Sequence, residues 1–484
     1  MVKKFLIALS FTNLCFYNII FTLFYKKLFF VKHLPTANSY LALILSELII
    51  TVSLMLIWEL ISRLNKPWLT KTIKGLVFLM LLVVLDDAVK DVIDINTKIL
   101  RLCLLTITFL LMTFKKTTKA AVTFLLVTSP FILVIFGQAM LGTITHWNKI
   151  EAPKPVQSLM VTANHTPRVL WIIFDEFDYQ VAFGERAQGL NVPTFDRFRK
   201  QAIFAENAFP PSASTTLSLT SFIDGRLVSN ASEIGTDQLR ITYRDTGETV
   251  NWGSRPNIFS KARELKINTA LVGEYLPYSR LIGKDLTYCS WYSFYPEYIS
   301  ATDSLLANIH SQLYFLLAGP AKTTIQRKRS FYNILNDAKR LVANPNYGLI
   351  MIHFPIPHGP HFHNNHWWER SAKGYLNALT LADETLKQLW GIMEEKCLWE
   401  DTTVIISSDH FLRGHKKYFD YQTIDSRIPF ILKMAGQKEA ITYQPAFNTY
   451  ITSDLVLAIL KKEVSTANEV VNWFNDNRTN PIKY

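Results

Sequence analysis

The sequence predicts a two-part protein: a bundle of about five transmembrane helices, followed by an α/β domain with a mainly parallel sheet and helices on both faces. The chain is richer in apolar residues (49%) and poorer in charged residues (19%) than a typical soluble domain. Most of the apolar excess lies before about residue 145. After residue 167, short apolar runs alternate with helical patterns, which is typical of buried parallel strands joined by helices.

Five apolar segments predict the transmembrane helices, at 5–24, 40–61, 75–95, 99–114 and 120–143. A bilayer core needs ~20 apolar residues per helix, so the fourth segment is short and the others are adequate. The first segment is too long for the apolar part of a signal peptide, and no cleavage site of small residues follows it. Asp86, Asp87 and Asp91 lie near the end of the third segment, and we expect them at the membrane interface, with a polar cavity as the alternative.

Basic residues between these segments predict their orientation. Lys and Arg residues precede the first segment and also separate the second from the third and the fourth from the fifth. Positively charged loops stay in the cytoplasm, so the chain is expected to be a multi-pass protein of the inner or plasma membrane. Its C-terminal part then lies on the periplasmic or extracellular side. Lys26, Lys27 and Lys32 do not fit, because they would also lie outside.

The predicted domain limits follow from these patterns. Residues 1–146 form the transmembrane domain, 147–167 a polar, proline-containing linker, and 168–484 the soluble domain. The net charge of +12 is assigned largely to the loops that flank the membrane helices. No Lys/Arg-rich stripe with interleaved aromatic residues is present, which argues against nucleic acid as a partner.

The four cysteines, Cys15, Cys103, Cys289 and Cys397, form no CxxC pair. Two of them fall in apolar segments. Cys289 and Cys397 could pair outside the cytoplasm or remain free thiols, and the sequence leaves both possibilities open.

Four apolar runs predict the strands of the soluble domain, at 168–174, 347–354, 402–407 and 428–433. Helices are predicted at about 256–266 and over the amphipathic stretch from Tyr375 to Met393. In sheets of this class, ligands bind at the carboxyl ends of the strands.

Polar residues follow two of these strands at their carboxyl ends. Asp175 and Glu176 follow the first strand, and Asp409 and His410 follow the third. Carboxylate and imidazole groups are metal ligands, so the two pairs predict parts of one metal site.

Two further stretches carry candidate groups. The hydroxyl-rich run at 210–225 predicts a short helix with hydroxyls at its start, where free N–H groups favour a bound phosphate or sulfate. Five of the eleven histidines lie within residues 353–366. His358 is favoured among them because it directly follows a strand and is braced by prolines, and His415 is a weaker candidate.

Taken together, these pieces resemble the sulfatase/alkaline-phosphatase superfamily over about residues 168–460. The resemblance rests on five motifs in order: strand-Asp-Glu, Thr-Thr-Leu-Ser-Leu-Thr-Ser with a later Gly, Pro-His-x-Pro, Ser-Asp-His and Arg-Ile-Pro-Phe. Membrane helices before such a domain look like the membrane-bound branch, which includes phosphoethanolamine transferases and lipoteichoic-acid-synthase-like phosphoglycerol transferases.

The resemblance implies a role for each candidate residue. Thr215, ten residues before Gly225, is the implied nucleophile and a metal ligand. The other implied ligands are Asp175, Glu176, Asp409 and His410. His358 would hold the substrate's phosphate or protonate the leaving group. His415 would assist in binding the substrate.

The sequence also departs from known members of the superfamily. Sulfatases of the formylglycine type need Cys or Ser at the nucleophile position, Pro two residues later and Arg four residues later, whereas this chain has Thr215, Leu217 and Leu219. The Gly-Glu that precedes the first ligand in phosphoethanolamine transferases is also absent. The resemblance therefore favours phosphoryl chemistry and leaves the substrate open.

The expected function is a membrane-anchored, metal-dependent phospho-group transferase that moves a lipid head group to an envelope lipid or glycan. The mixed carboxylate and imidazole ligands favour zinc or manganese, with calcium or magnesium as alternatives. Two other functions stay open: a hydrolase of phosphodiesters or sulfate esters, and an inactive membrane scaffold.

Overall fold

The structure is a computed structural model. It describes residues 2–24, 28–64, 106, 115–145, 155–159, 167–362, 371–414, 418–419 and 425–482. The chain divides into two compact units. The helical unit contains Met1–Leu28, His33–Glu151 and Pro296–Lys322, and the sheet unit contains Phe29–Lys32, Ala152–Tyr295 and Thr323–Tyr484.

The helices are named in chain order. They are α1 Val2–Cys15, α2 Tyr17–Phe24, α3 Ala37–Arg63, α4 Lys115–Thr145, α5 Pro193–Arg199, α6 Thr215–Asp224, α7 Ile258–Glu264, α8 Tyr278–Leu281, α9 Leu305–Ala318, α10 Lys322–Val342, α11 Ala372–Glu395, α12 Thr452–Leu460 and α13 Ala467–Asn477.

The strands are β1 Arg168–Asp175, β2 Ile203–Ala205, β3 Ala208–Phe209, β4 Val228–Ile234, β5 Gln238–Tyr243, β6 Thr249–Asn251, β7 Thr269–Glu274, β8 Tyr288–Tyr292, β9 Leu349–Pro357, β10 Thr402–Ser408, β11 Phe430–Lys433, β12 Ile441–Tyr443 and β13 Phe447–Asn448.

The helical unit contains helices that are long and apolar enough to cross a membrane. Helix α3 and residues Val122–Thr145 of α4 meet this condition, and α1 with α2 make a third candidate span, bent by 63°. The predicted spans at 75–95 and 99–114 lie outside the described residues, apart from residue 106. Helices α1, α3 and α4 pack against one another.

A buried polar contact joins two of these helices. The side chain of Glu47 in α3 is fully buried, and the Asn13 amide of α1 lies 3.3 Å from both of its carboxylate oxygens. Polar side chains inside a membrane bundle are costly unless they meet a partner, so this pair specifies how α1 faces α3.

The sheet unit is built around eight strands in the order β12-β2-β11-β10-β1-β9-β7-β8. The strands β10, β1, β9, β7 and β8 pair in parallel, and β11 runs antiparallel to both of its neighbours. The four predicted strands correspond to β1, β9, β10 and β11 and lie side by side. The run at 428–433 has the composition of a parallel strand although it is antiparallel, because its composition reflects burial on both faces and not strand direction.

Both faces of the sheet are covered. Along β1, Val169, Trp171 and Ile173 point into one apolar core. Leu170 and Ile172 point into the other. This alternation explains why β1 is apolar at every position from Val169 to Phe174.

Two segments depart from a simple division by sequence. Pro296–Lys322 belongs to the helical unit, although it lies within the range predicted as one soluble domain. Conversely, Phe29–Lys32 belongs to the sheet unit, although it directly follows the first candidate span. The domain limits predicted from the sequence stay a prediction.

The segment Phe29–Lys32 is bound by several contacts. Phe29 is fully buried in the core of the sheet unit. The Arg280 guanidinium donates hydrogen bonds to the carbonyl oxygens of Phe29 (2.6 Å) and Val31 (2.9 Å). Lys32, which did not fit the predicted orientation, places its ammonium 3.7 Å from the centre of the Tyr292 ring. That contact accounts for a lysine in this loop.

Helix α6 is fixed at its carboxyl end by a buried acid. Asp224, its last residue, accepts hydrogen bonds from the Tyr243 hydroxyl (2.6 Å) and the Trp252 indole N–H (2.7 Å). Gly225 follows with a φ of 70°, a left-handed turn that glycine adopts without strain. The amino end of α6 carries Thr215, so these contacts position a candidate site residue.

The environment of Asp224 predicts a pH-dependent stability. Burial raises its pKa from 3.8 to about 6. The folded protein therefore binds the proton more tightly, and the associated stability, about 1–3 kcal/mol, is present below pH 4 and lost as the pH rises through 6. Asp224→Asn removes this titration, so we expect the variant to become more stable relative to the parent across that range in chemical denaturation of the full chain.

Asp245→Asn is a matched control, because Asp245 is exposed and paired with Arg226 at 2.8 Å. That variant should not gain on the parent between pH 4 and 6. Parallel stability curves for Asp224→Asn and the parent would contradict the role given to Asp224.

Candidate metal centre

The parallel pairing of three strands brings the predicted ligands together. In the register of β1 with β10, Phe174 lies opposite Ser408, so the next residues, Asp175 and Asp409, are neighbours. On the other side of β1, the His358 N–H that follows β9 donates to the Asp175 carbonyl at 3.0 Å. Carboxyl ends of parallel strands meet at one edge of a sheet, which is where this class of fold places its ligands.

Asp175, Asp409 and His410 form a buried group that could hold a metal ion, with one ligand atom from each residue within 4.8 Å of the others. The His410 Nε2 atom lies 3.4 Å from Asp409 Oδ2 and 3.7 Å from Asp175 Oδ1. Both oxygens are buried and accept no hydrogen bond from the described residues. A cation between them would satisfy both, so the residues present fit a metal.

The backbone sets the orientation of these ligands. His410 Nδ1 lies 2.9 Å from the Phe411 carbonyl, so its N–H donates there and the Nε2 lone pair faces the two carboxylates. The other Asp409 oxygen accepts from the N–H groups of Glu176 (3.1 Å) and His410 (2.8 Å). Each ligand is therefore held from behind, as is typical of metal sites.

The two carboxylates differ in their electrostatic environment. Burial and the neighbouring Asp175 raise the pKa of Asp409 to about 7. Burial would also raise the pKa of Asp175, but surrounding cations, including Arg327, lower it overall. Two acids forced together out of water resist double ionisation, and a bound cation would remove that resistance.

Thr215 is the first residue of α6, and its side chain is half-buried. Its hydroxyl oxygen lies 3.2 Å from His410 Nε2. That nitrogen carries a lone pair, so it can accept the proton of the hydroxyl. The short helix with hydroxyls at its start is therefore present, and the structure brings Thr215 to the buried group.

Glu176 lies beside the group and takes no part in it. It has a φ of 64°, which turns the chain sharply after β1. The Tyr375 hydroxyl stabilises this turn by donating to the Glu176 carbonyl at 2.7 Å. The Glu176 carboxylate accepts from Arg413 Nε at 3.1 Å, so its charge is directed toward Arg413.

His358 lies at the edge of the group. Its Nδ1 is 2.6 Å from the Gly359 carbonyl, so this nitrogen donates and Nε2 is left as an acceptor, 3.3 Å from an Arg413 nitrogen. Burial lowers its pKa to about 3, which keeps the ring neutral at ordinary pH. His415, the other predicted substrate residue, lies outside the described residues.

Sequence reasoning missed two arginines at this site. Arg413, half-exposed, lies near the metal group and presents guanidinium N–H groups to an incoming anion. Its signal was its position four residues after Asp409, in the same loop.

The second arginine, Arg327 of α10, is fully buried and lies behind the group. It donates to Glu274 at 2.8 Å and to the Pro355 carbonyl at 2.7 Å, and it lies 3.5 Å from Asp175 Oδ2. The guanidinium thus links β1, β7 and β9 beneath the ligands. No local pattern in the sequence marks it, because α10 is a basic helix with several Lys and Arg residues.

The arrangement combines a hydroxyl, two carboxylates, an imidazole and an accessible guanidinium. A metal ion held by the acids and His410 would lie next to the Thr215 hydroxyl. Such a site can activate the hydroxyl as a nucleophile toward an anionic ester, while Arg413 attracts the anion.

The family model described as Sulfatase matches residues 167–461. No curated relative matches the chain.

The chain is also similar to solved structures. A protein of the alkaline phosphatase superfamily from Vibrio parahaemolyticus has a TM-score of 0.41 and 12% identity, and the match covers 64% of this chain and 68% of that chain. The phosphonate monoester hydrolase from Silicibacter pomeroyi has a TM-score of 0.41 and 14% identity, and the match covers 61% of this chain and 73% of that chain. A sulfatase from Pseudoalteromonas sp. has a TM-score of 0.40 and 15% identity, and the match covers 62% of this chain and 69% of that chain.

The matched residues run from the start of β1 to just beyond α12 and include all of the candidate ligands. The protein is a metal-dependent enzyme acting on sulfate or phosphate esters, and its chain belongs to the Sulfatase family.

Proposed function

We propose that this protein is a membrane-anchored phospho-group transferase that uses Thr215 as a nucleophile. The observation that carries this proposal is the position of the Thr215 hydroxyl, 3.2 Å from His410 Nε2 in a group with two unpartnered carboxylate oxygens. A hydroxyl in this position is a weak nucleophile unless a neighbouring group activates it. The proposed donor is a membrane lipid and the proposed acceptor an envelope lipid or glycan.

The proposed site holds one divalent metal ion, zinc or manganese, through Asp175, Asp409 and His410. When bound, such an ion supplies Lewis-acid chemistry that lowers the pKa of a neighbouring hydroxyl and stabilises charge on the phosphoryl oxygens. Side chains of the protein supply the nucleophile, the proton transfers and the binding of the anion.

The proposed reaction has two balanced displacements. In the first, Thr215 Oγ forms a bond to phosphorus while the bond from phosphorus to the oxygen of the donor alcohol breaks. Thr215 releases a proton, and the departing alcohol oxygen takes one up. In the second, the acceptor hydroxyl loses a proton, bonds to phosphorus and displaces Thr215, which regains its proton. No oxidant or further co-reactant is needed.

The geometry divides the remaining roles between His358 and Arg413. His358 presents the lone pair of Nε2 toward Arg413, 3.3 Å away, so this nitrogen can accept a proton and has none to donate to a phosphate oxygen. This supports a role for His358 in taking up the proton that the acceptor hydroxyl loses. Arg413 has the donors that suit an anion, so we assign it to binding the phosphoryl group.

Two observations support the proposed location. Two or three helices are apolar enough to cross a membrane. In addition, Phe29–Lys32 follows the first candidate span and belongs to the sheet unit, so that loop and the sheet unit share one side of the membrane. The positive-inside pattern of the sequence favours the outside for that side, where envelope substrates occur, although Lys26, Lys27 and Lys32 do not fit it.

Thr215 variants test the nucleophile. Thr215→Ala should lower turnover of an aryl phosphodiester by roughly three orders of magnitude or more, while metal content and folding are retained. Thr215→Ser keeps a hydroxyl and should retain measurable turnover with a phosphorylated intermediate detectable by mass spectrometry. Full activity of Thr215→Ala would exclude the scheme.

Aryl phosphate and aryl sulfate esters, tested in parallel, separate the transferase from the alternatives. Turnover of sulfate esters with water as the only acceptor would indicate a sulfatase. If phosphate esters are turned over and the phosphoryl group goes to water even when a glycan or lipid hydroxyl is added as acceptor, the protein is a phosphodiesterase. Mass spectrometry of envelope lipids and glycans, with and without the protein, identifies the natural product.

Ligand variants test the metal site. Asp409→Asn and His410→Ala should each weaken zinc or manganese binding by more than roughly 100-fold, because both remove a direct ligand. Elemental analysis and direct titration with the metal measure this without any substrate. A purified parent protein that neither contains nor rebinds a divalent metal would favour the inactive scaffold.

Arg413→Ala tests the anion-binding role. Loss of a charge-assisted hydrogen bond should raise KM for a phosphate ester roughly 10–100-fold, with metal binding unchanged. Arg197→Ala is the matched control, since Arg197 is an exposed arginine paired with Glu394 at 3.3 Å and its loss should leave KM unaltered. An unchanged KM in Arg413→Ala would contradict the assignment.

A further inference from the structure

Helix α9, Leu305–Ala318, belongs to the helical unit although β8 precedes it and α10 follows it in the sequence. Its contacts to the predicted span α3 are polar. The Asn308 side chain accepts from the Ser39 hydroxyl at 3.2 Å, and the Gln312 amide donates to the Ser39 carbonyl at 3.0 Å. Just before the helix, the Asp303 carbonyl accepts from the Asn38 amide at 2.9 Å.

These hydrogen bonds show where α9 meets α3. They involve positions spread over ten residues, from 303 to 312, and reach two adjacent residues of α3, Asn38 and Ser39. Helix α9 is therefore hydrogen-bonded to the first turn of the span.

The length of α3 places this contact relative to a bilayer. Its 27 residues extend over about 40 Å at 1.5 Å per residue, whereas the hydrocarbon core is about 30 Å thick. The first turn is capped by Thr36 and carries Asn38 and Ser39, so it is one of the two polar ends of this span. The contact with α9 then falls at the boundary between acyl chains and head groups.

The polarity of α9 is inverted relative to a helix in water. Its fully buried residues include Asn308 and Gln312, while Leu306 and Leu317 are 77% and 78% exposed. Leu306, His310, Tyr314 and Leu317 follow helical spacing and form one outward face. A soluble helix would turn these leucines inward, so this face is suited to an apolar medium.

Other helices of this unit also expose apolar side chains. Helix α3 also exposes large apolar side chains, among them Leu56 at 66% and Leu60 at 63%. On α9, the Tyr314 ring stacks on His310 with centroids 6.1 Å apart, which adds an aromatic group with polar atoms to the leucine face. Aromatic residues of this kind are enriched at the membrane boundary.

We propose that α9 is an interfacial helix that lies in the plane of the bilayer, with Leu306 and Leu317 inserted among the upper acyl chains. The partner is thus the lipid surface itself. The inserted segment lies between two elements that carry site residues, because β7 with Glu274 precedes it and α10 with Arg327 follows it. The proposal concerns membrane contact and does not depend on the reaction assigned to the protein.

A fluorescent residue tests this placement. An environment-sensitive fluorescent amino acid is introduced by stop-codon suppression at position 317 of the full chain, and at position 306 in a second variant. Each protein is reconstituted into bilayers whose lipids carry bromine either near the head group or near the chain end. Blue-shifted emission is expected at both positions, with a greater loss of emission from bromine near the head group.

Position 265 provides the matched control, because Leu265 is also exposed, at 38%, but lies in the sheet unit. It should show neither a blue shift nor quenching. Emission at 306 and 317 that is not quenched by either lipid would overturn the proposal. Without a blue shift, this result would mean that the face meets water. With a blue shift, it would mean that the face is covered by protein, either a second copy or the sheet unit. Quenching strongest near the chain end would also overturn it, because the helix would then lie too deep.

Discussion

The site depends on the close approach of two carboxylates, Asp175 and Asp409, at the ends of adjacent parallel strands. The pairing of β1 with β10 fixes this approach, because a shift of one residue in either strand would turn the side chain of that strand to the other face. Bringing two acids together out of water is unfavourable unless a cation is near. Arg327 supplies one fixed positive charge behind Asp175, and the unpartnered oxygens in front suit a second, exchangeable one.

The nucleophile is positioned by a separate set of contacts. Helix α6 presents Thr215 at its amino end, where backbone N–H groups also favour an anion. Its carboxyl end is held by Asp224 through Tyr243 and Trp252, which belong to the small sheet β4-β5-β6 and the turn after it. The hydroxyl is therefore delivered by a rigid element rather than a loop, which is the condition for a precise distance to the metal group.

The sequence was informative where burial imposes a simple pattern. Continuous apolar runs predicted β1, β9, β10 and β11, because both faces of those strands are covered, and the polar residues after them predicted Asp175, Asp409 and His410. The superfamily resemblance added Thr215. Their roles in catalysis stay proposals, as does that of Glu176, whose carboxylate pairs with Arg413 in the structure.

Other features could not have been predicted because they depend on contacts distant in sequence. Arg327 reaches Asp175 across 152 positions, and nothing near it distinguishes it from the other basic residues of α10. Helix α9 resembles an ordinary apolar helix until its buried Asn308 and Gln312 are seen to face Ser39. Strands β2, β7 and β8 are short or mixed in polarity, so they lack the continuous apolar signal.

The segment Phe29–Lys32 also has consequences for synthesis. It leaves the ribosome early, yet Arg280, which binds its carbonyl groups, follows 251 and 249 positions later. Contacts of such sequence separation form slowly, and domains otherwise complete their folding as contiguous stretches emerge. The core around Phe29 therefore closes only after more than half of the chain has been translated, and the nascent N-terminal loop must remain accessible until then.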